Sequence, residues 1–185
     1  MRTLTLSLLT ILSLKSIAES EEFTDHDVHQ HGHAETYISF IDQVAKVKLV
    51  LPSVDIFGFE HKPNDEQQLN QVRLQIPILE NSQNLFSINL PCNQIHAKIE
   101  SSILDEIASD NTHEHDDEHH HEEIESHSNV IVNYEFKCES NHDAQINFNL
   151  FKSYPTIEKL ELKFVSNESQ STTVLTPENS RYYFP

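Results

Sequence analysis

Apolar residues recur at every second position over much of this chain, and that period dictates what it can become. Ile38 and Phe40 flank Ser39, and Ala45, Val47, Leu49 and Leu51 alternate with Lys46 and Lys48 up to Pro52. Successive side chains of an extended strand point to opposite faces, so each run makes a half-buried strand, and these first two can form a hairpin. The period returns in Phe86, Ile88 and Leu90, in Ile95, Ala97 and Ile99, and in Val130, Val132, Tyr134 and Phe136. It returns again in Ile146, Phe148 and Leu150, in Leu160, Leu162 and Phe164, and more weakly around Val174. One segment has the helical period instead: Leu69, Val72, Ile76 and Leu79, opened by Asn64 as N-cap with Gln67 at the reciprocal position. Pro77 predicts that this helix stops or kinks there. The reading is an α+β fold, mainly antiparallel β, with seven to eight strands and one clear helix. Strands that follow one another without regular intervening helices disfavour a doubly wound sheet. Gly32 and Gly58 are the only glycines, which excludes a phosphate-cradling glycine loop or a dinucleotide fingerprint.

The first residues read as an address. Arg2 precedes an apolar run from Leu4 to Leu14, and Ser16-Ile17-Ala18 places small residues where a signal peptidase reads, so residues 1–18 are a predicted signal peptide cleaved after Ala18. The run is about half of the roughly 20 residues a membrane span needs, and Lys15 closes it. Residues 19–185 are then expected to form a single domain, soluble and without direct membrane insertion. In an oxidising compartment the two cysteines, Cys92 and Cys138, are expected to pair. Closing that loop is worth roughly 4 kcal/mol on the chain-entropy account, which is disputed, and it removes thiolate from the candidate metal ligands.

Charge is lopsided, with 30 acidic against 12 basic residues and a formal net charge of −18. Such a surface repels nucleic acid and anionic lipid and attracts cations. Much of the charge has one location. Between Asp110 and His127 stand His113, His115, His119, His120, His121 and His127 among eight acids, with Ile124 the only aliphatic side chain and neither Lys nor Arg. A segment like that cannot bury itself, so residues 110–127 are expected to be a disordered His/Asp/Glu-rich loop. Imidazole nitrogen beside carboxylate oxygen is a donor set for borderline divalent ions, zinc first, with nickel or copper able to compete in vitro. His115 to His119 formally match a zinc-peptidase spacing, but in so biased a tract the match is accidental, and a catalytic zinc needs a rigid, packed site. No enzyme is expected.

A second histidine group, His29, His31 and His33, abuts the first strand, where alternate residues of an extended chain would share one side. His61, beside Glu60 at a strand-to-helix turn, is a candidate fourth ligand, whereas His96 and His142 read as ordinary surface histidines.

Taken in order, these pieces form a pattern. His29-Gln30-His31-Gly32-His33-Ala34 precedes the first strand, Gly58-Phe59-Glu60-His61-Lys62-Pro63 precedes the helix, and Cys92 and the His-rich insert follow. Tyr134-Glu135-Phe136-Lys137-Cys138, Leu150-Phe151, Tyr154-Pro155 and Leu175-Thr176-Pro177 complete it. The whole resembles the ZrgA-like family of zinc-regulated periplasmic proteins, with the Gly-Phe-Glu-His-x-Pro block its most specific part. The resemblance implies a Gram-negative periplasmic protein made under zinc limitation that binds zinc and hands it to, or acts beside, a membrane transport system. The family pattern often carries another histidine in the strand before the second cysteine. Here Ile131 stands in that place, which weakens the case for a ligand from that strand, although His127 begins the segment. The competing readings are a zinc solute-binding lobe or lipocalin-like metal chaperone, a pH-sensing interaction protein whose clustered imidazoles charge together near pH 6, and a zinc-dependent hydrolase.

Overall fold

A computed structural model describes residues 31–110, 128–139 and 144–185. The signal-peptide reading, the loop reading of residues 110–127 apart from Asp110, which ends a helix and not a loop, and His26, His29 and His142 lie outside those residues.

The period-two runs become strands. β1 (His33–Ile41) and β2 (Val44–Pro52) form the expected antiparallel hairpin, turning at Asp42, whose φ of 55° places it in the left-handed region. β5 (Asn129–Cys138) lies antiparallel on the far side of β2, and β4 (Cys92–Glu100) lies antiparallel beside β5. On the other flank β7 (Lys159–Ser166) pairs with β1 in parallel, and β8 (Gln170–Leu175) pairs antiparallel with β7. The six strands run in the order β4-β5-β2-β1-β7-β8. A smaller antiparallel sheet contains β3 (Phe86–Ile88), β6 (Gln145–Phe148) and β9 (Arg181–Tyr183), in the order β3-β6-β9.

One face of the large sheet supplies the core. Ile38, Phe40, Val47, Leu49, Val132, Tyr134, Leu160, Leu162 and Phe164 are buried and alternate with more exposed residues along their strands. Aromatic rings join them to the small sheet: Phe86 meets Tyr134 and Phe136 edge-on at centroid distances of 5.4 and 5.8 Å. Phe184 stacks on Phe164 at 4.9 Å. Fully burying one such side chain is worth about 1.5–3 kcal/mol relative to leaving it exposed. The opposite face of the large sheet is open.

The predicted helix is α2 (Glu66–Glu80), which buries Val72 and Leu79. Its cap is one residue later than expected: Asp65 Oδ1 accepts from Gln68 N at 2.8 Å, while Gln68 Oε1 accepts from Asn64 N at 2.9 Å. Asn64 thus joins the capping arrangement through its backbone and not its side chain. Pro77 does not end the helix. Its ring sits on the exposed side, where water can serve the Arg73 carbonyl that loses its partner, and burial of Leu79 holds the last turn. Three further helices have no strong sequence signal: α1 (Ser53–Phe57), α3 (Ser102–Asp110) and α4 (Leu150–Ser153).

The described residues hold nine strands against the seven to eight expected, and β9 is the addition, too short at three residues to display a period. Leu150 opens α4 and does not continue β6, and its backbone N–H donates to the Leu85 carbonyl at 2.7 Å. Ile95 does not share a face with Ala97 and Ile99, since the β4–β5 register shifts between Gln94 and His96 and leaves Ile95 exposed. The cysteines pair as expected: Cys92 and Cys138 stand opposite each other on β4 and β5 and form a disulfide across 46 residues.

Candidate metal site

Three stretches far apart in sequence meet at the end of the large sheet where β1 begins. The first is His31-Gly32-His33. His31 and Gly32 form a turn and only His33 is in the strand, so the alternation of an extended chain does not carry back past His33. Gly32 fixes this turn. Its φ is +78°, a conformation that costs L side chains strain, and a Cβ on it would lie 3.0 Å from the Thr156 carbonyl oxygen. Gly32 N donates to Asp55 Oδ2 at 2.9 Å, and its carbonyl accepts from the backbone N–H of Glu158 and Lys159. His31 is thereby delivered, largely exposed, to the second stretch, where its Nε2 lies 3.3 Å from Glu60 Oε1.

The second stretch follows α1. Gly58, with φ +87°, ends that helix and turns the chain, Phe59 enters the core, and Glu60 and His61 emerge. His61 is held from two sides. Its ring stacks on Phe59 at a centroid distance of 5.2 Å, and its Nδ1 is 2.8 Å from the Lys62 carbonyl oxygen. A carbonyl only accepts, so in this hydrogen bond Nδ1 carries the proton, and in the neutral ring Nε2 then presents its lone pair outward. Metal-binding histidines are typically held in this way, with the second nitrogen donating to a carbonyl or carboxylate that fixes tautomer and orientation.

The third stretch is Ser128, the residue that follows the His-rich insert. Its hydroxyl donates to the Glu60 carbonyl at 3.0 Å, and its own carbonyl accepts from Ser53 N at 2.9 Å. β5 then starts at Asn129, paired with Pro52 at the end of β2.

The sequence-predicted ligands therefore divide. His31 and His61 lie on either side of Glu60, His31 through its contact with that carboxylate and His61 as the next residue in the chain, and His33 starts the neighbouring strand with its side chain half-buried. His29, His113, His115, His119, His120, His121 and His127 lie outside the described residues. Among the described residues, no three His, Cys, Asp or Glu side chains are grouped so that they could hold an ion by themselves. Sequence reasoning noted Glu60 only as a neighbour of His61 and missed Asp55 and Ser128. Asp55 carries no local signal, since its role depends on a backbone N–H 23 residues away. His96 lies exposed on β4 at the open sheet face, among the residues lining a hollow there.

A comparison with protein families finds that the model described as ZrgA family zinc uptake protein matches residues 28–184. No curated protein matches the chain. Among the described residues no helix is long and apolar enough to cross a membrane.

Proposed function

Because the chain belongs to the ZrgA family of zinc uptake proteins, we propose that it binds Zn²⁺ in the periplasm and scavenges it for, or delivers it to, a membrane transport system. The cargo sites are of two kinds. A tighter one is built at the start of β1 from His29, His31, His33 and His61, with Glu60 as an oxygen donor or an orienting group. A weaker one, taking several ions, is the insert with His113, His115, His119, His120, His121 and His127.

The observation that carries this reading is the hydrogen bond from Ser128 to Glu60. It sets Ser128, the residue that follows the insert in sequence, against the Glu60–His61 turn, so the chain rejoins the fold beside His31 and His61. Ligands held by the fold lose less conformational entropy on binding than ligands on a segment that must wrap the ion. Ions would then pass from many weak imidazole–carboxylate contacts to the set at the start of β1. Both kinds of site weaken on acidification, because protons compete for imidazole nitrogen. The family description concerns uptake and names no reaction.

The test is calorimetric titration with Zn²⁺, together with the Zn²⁺-induced rise in melting temperature. It compares the parent chain, the triple substitution H29A/H31A/H33A, and a chain lacking residues 110–127. The triple substitution is expected to lose about one ion and most of the thermal shift, because only ligands arranged by the fold distinguish native from unfolded chain. The deletion is expected to lose more ions with little change in the shift. A triple variant that keeps the full shift would place the tight site elsewhere.

A further inference from the structure

The open face of the six-stranded sheet has a character opposite to the rest of the chain. Lys46, Lys48, Lys98, Lys137, Lys159 and Lys163 occupy its outward positions, half of the 12 basic residues in the sequence. Against them stand Glu35, Glu100, Glu135 and Glu161. Six lysines against four glutamates give this face +2, so the remainder of a chain of formal charge −18 carries −20.

At the centre of the face is a shallow hollow of about 510 Å³ lined by Tyr37, Lys48, His96, Asn133, Glu135 and Lys163. Tyr37 lies between two ammonium groups, with Lys163 Nζ 4.9 Å and Lys48 Nζ 5.6 Å from its ring centroid. Its hydroxyl donates to Glu35 Oε2 at 2.5 Å, and Lys163 donates to that same oxygen at 3.1 Å. This hydrogen bond to Glu35 is the main reason the Lys163 pKa is raised, so the ammonium stays charged. Apolar surface surrounds the hollow: Tyr37, Val165 and Val174 are 39%, 45% and 52% exposed.

We propose that this face is the docking surface for a protein partner that presents carboxylate side chains beside apolar ones. Charge complementarity selects the partner. The six lysines form a local positive set on an otherwise acidic molecule, against which carboxylates presented by a partner can pair in one orientation. The lysines are interleaved with glutamates, as in Lys46–Glu135 at 3.7 Å and Lys98–Glu100 at 2.6 Å. A polyphosphate chain or an anionic bilayer carries charge of one sign only and cannot match the interleaved glutamates. A protein surface can match charge with charge and cover the exposed rings and methyl groups. Surface ion pairs of this kind add little to stability.

The experiment uses the isotopically labelled full chain and follows backbone amide resonances. The probes are a short synthetic peptide of alternating Glu with Leu or Phe, the same peptide with Lys in place of Glu, and vesicles of phosphatidylglycerol. The Glu peptide is expected to shift Tyr37, Lys48, Asn133 and Lys163. Its affinity should fall at least about tenfold in K48E/K163E and by less in K48Q/K163Q, and should weaken with salt. The spectrum away from the face reports whether each variant is folded, and Zn²⁺ titration of the same variants is expected to be unchanged, which separates this proposal from the reading of the metal site. Equal binding of the Lys peptide, vesicle binding abolished by K48E/K163E, or unchanged Glu-peptide affinity in folded K48E/K163E would each overturn the proposal. So would movement of the same four resonances on deleting residues 111–127, which would mean that the chain's own acidic stretch covers the face.

Discussion

The hydroxyl of Ser128 donates to the main-chain carbonyl of Glu60 at 3.0 Å, joining residues 68 apart in the chain. S128A removes the donor, and loss of one such hydrogen bond costs about 1 kcal/mol. With the Glu60–His61 turn less firmly held, Zn²⁺ affinity of the tighter site is expected to fall by up to about fivefold, the equivalent of that hydrogen bond. S128T, which keeps a hydroxyl, should recover most of the loss. Equal Zn²⁺ titrations for all three proteins would show that the bond does not support the site.

Gly32 and Gly58 both have positive φ but differ in their surroundings. A Cβ at Gly32 meets the Thr156 carbonyl at 3.0 Å, whereas one at Gly58 meets nothing within 4 Å. G58A is expected to cost about 1–2 kcal/mol, the backbone penalty alone. G32A should cost more, and because it displaces His31 it should also reduce Zn²⁺ binding. Urea unfolding of both variants checks the order, and equal midpoints would contradict it.

Two buried phenols give an alkaline limit to stability. Burial pushes Tyr154 up to about 12 from an ordinary 10.0, with its hydroxyl donating to Gln75 Oε1 at 2.8 Å. Burial, and then the nearby Tyr154, raises Tyr134, whose hydroxyl donates to the Leu79 carbonyl. With folded pKa values above the unfolded one, the stabilisation is complete below the unfolded pKa and is lost as pH rises through the folded values. Each phenol contributes a slope of up to about 1.4 kcal/mol per pH unit in that window. Urea midpoints should therefore fall steeply between about pH 10 and 12, and Y154F should flatten the fall.

Reducing the Cys92–Cys138 bond releases a loop of 46 residues and is expected to cost roughly 4 kcal/mol on the chain-entropy account. The bond stands at the end of β5 opposite Asn129, about 30 Å from the metal corner at strand rise. Reduction should lower the urea midpoint while leaving Zn²⁺ stoichiometry of the folded protein intact. Loss of ions on reduction would couple the two ends of the sheet.

The strands were legible because burying one face imposes alternation along β1, β2, β5 and β7. The order of those strands was not, since no local residue announces that β1 pairs with β7 in parallel. Pro77 does not stop α2, because the rule that a proline ends a helix assumes a helix held by its own hydrogen bonds, and α2 is held by the burial of Val72 and Leu79. The bulge at Ile95 and the cap at Asp65 are decided by partners on other segments. Of the candidate site, His31, His33 and His61 were readable as residue types near element ends. That Glu60 joins His31 to Ser128 depends on tertiary placement, and a linear sequence does not display it.

β1 is central in its sheet, and its parallel neighbour β7 begins only at Lys159. The lysine against Tyr37 is 126 residues further along the chain. Gly32 is anchored by Glu158 and Lys159, so the turn that sets His31 in place is finished by residues from the last sixth of the polypeptide. Such distant closure is the slow part of assembling a fold. A chain truncated or cleaved before residue 158 keeps every candidate ligand in its sequence yet lacks the anchor of the turn that carries His31. The corner in that sense reports on long-range assembly: its geometry exists only where Gly32 has met Glu158 and Lys159.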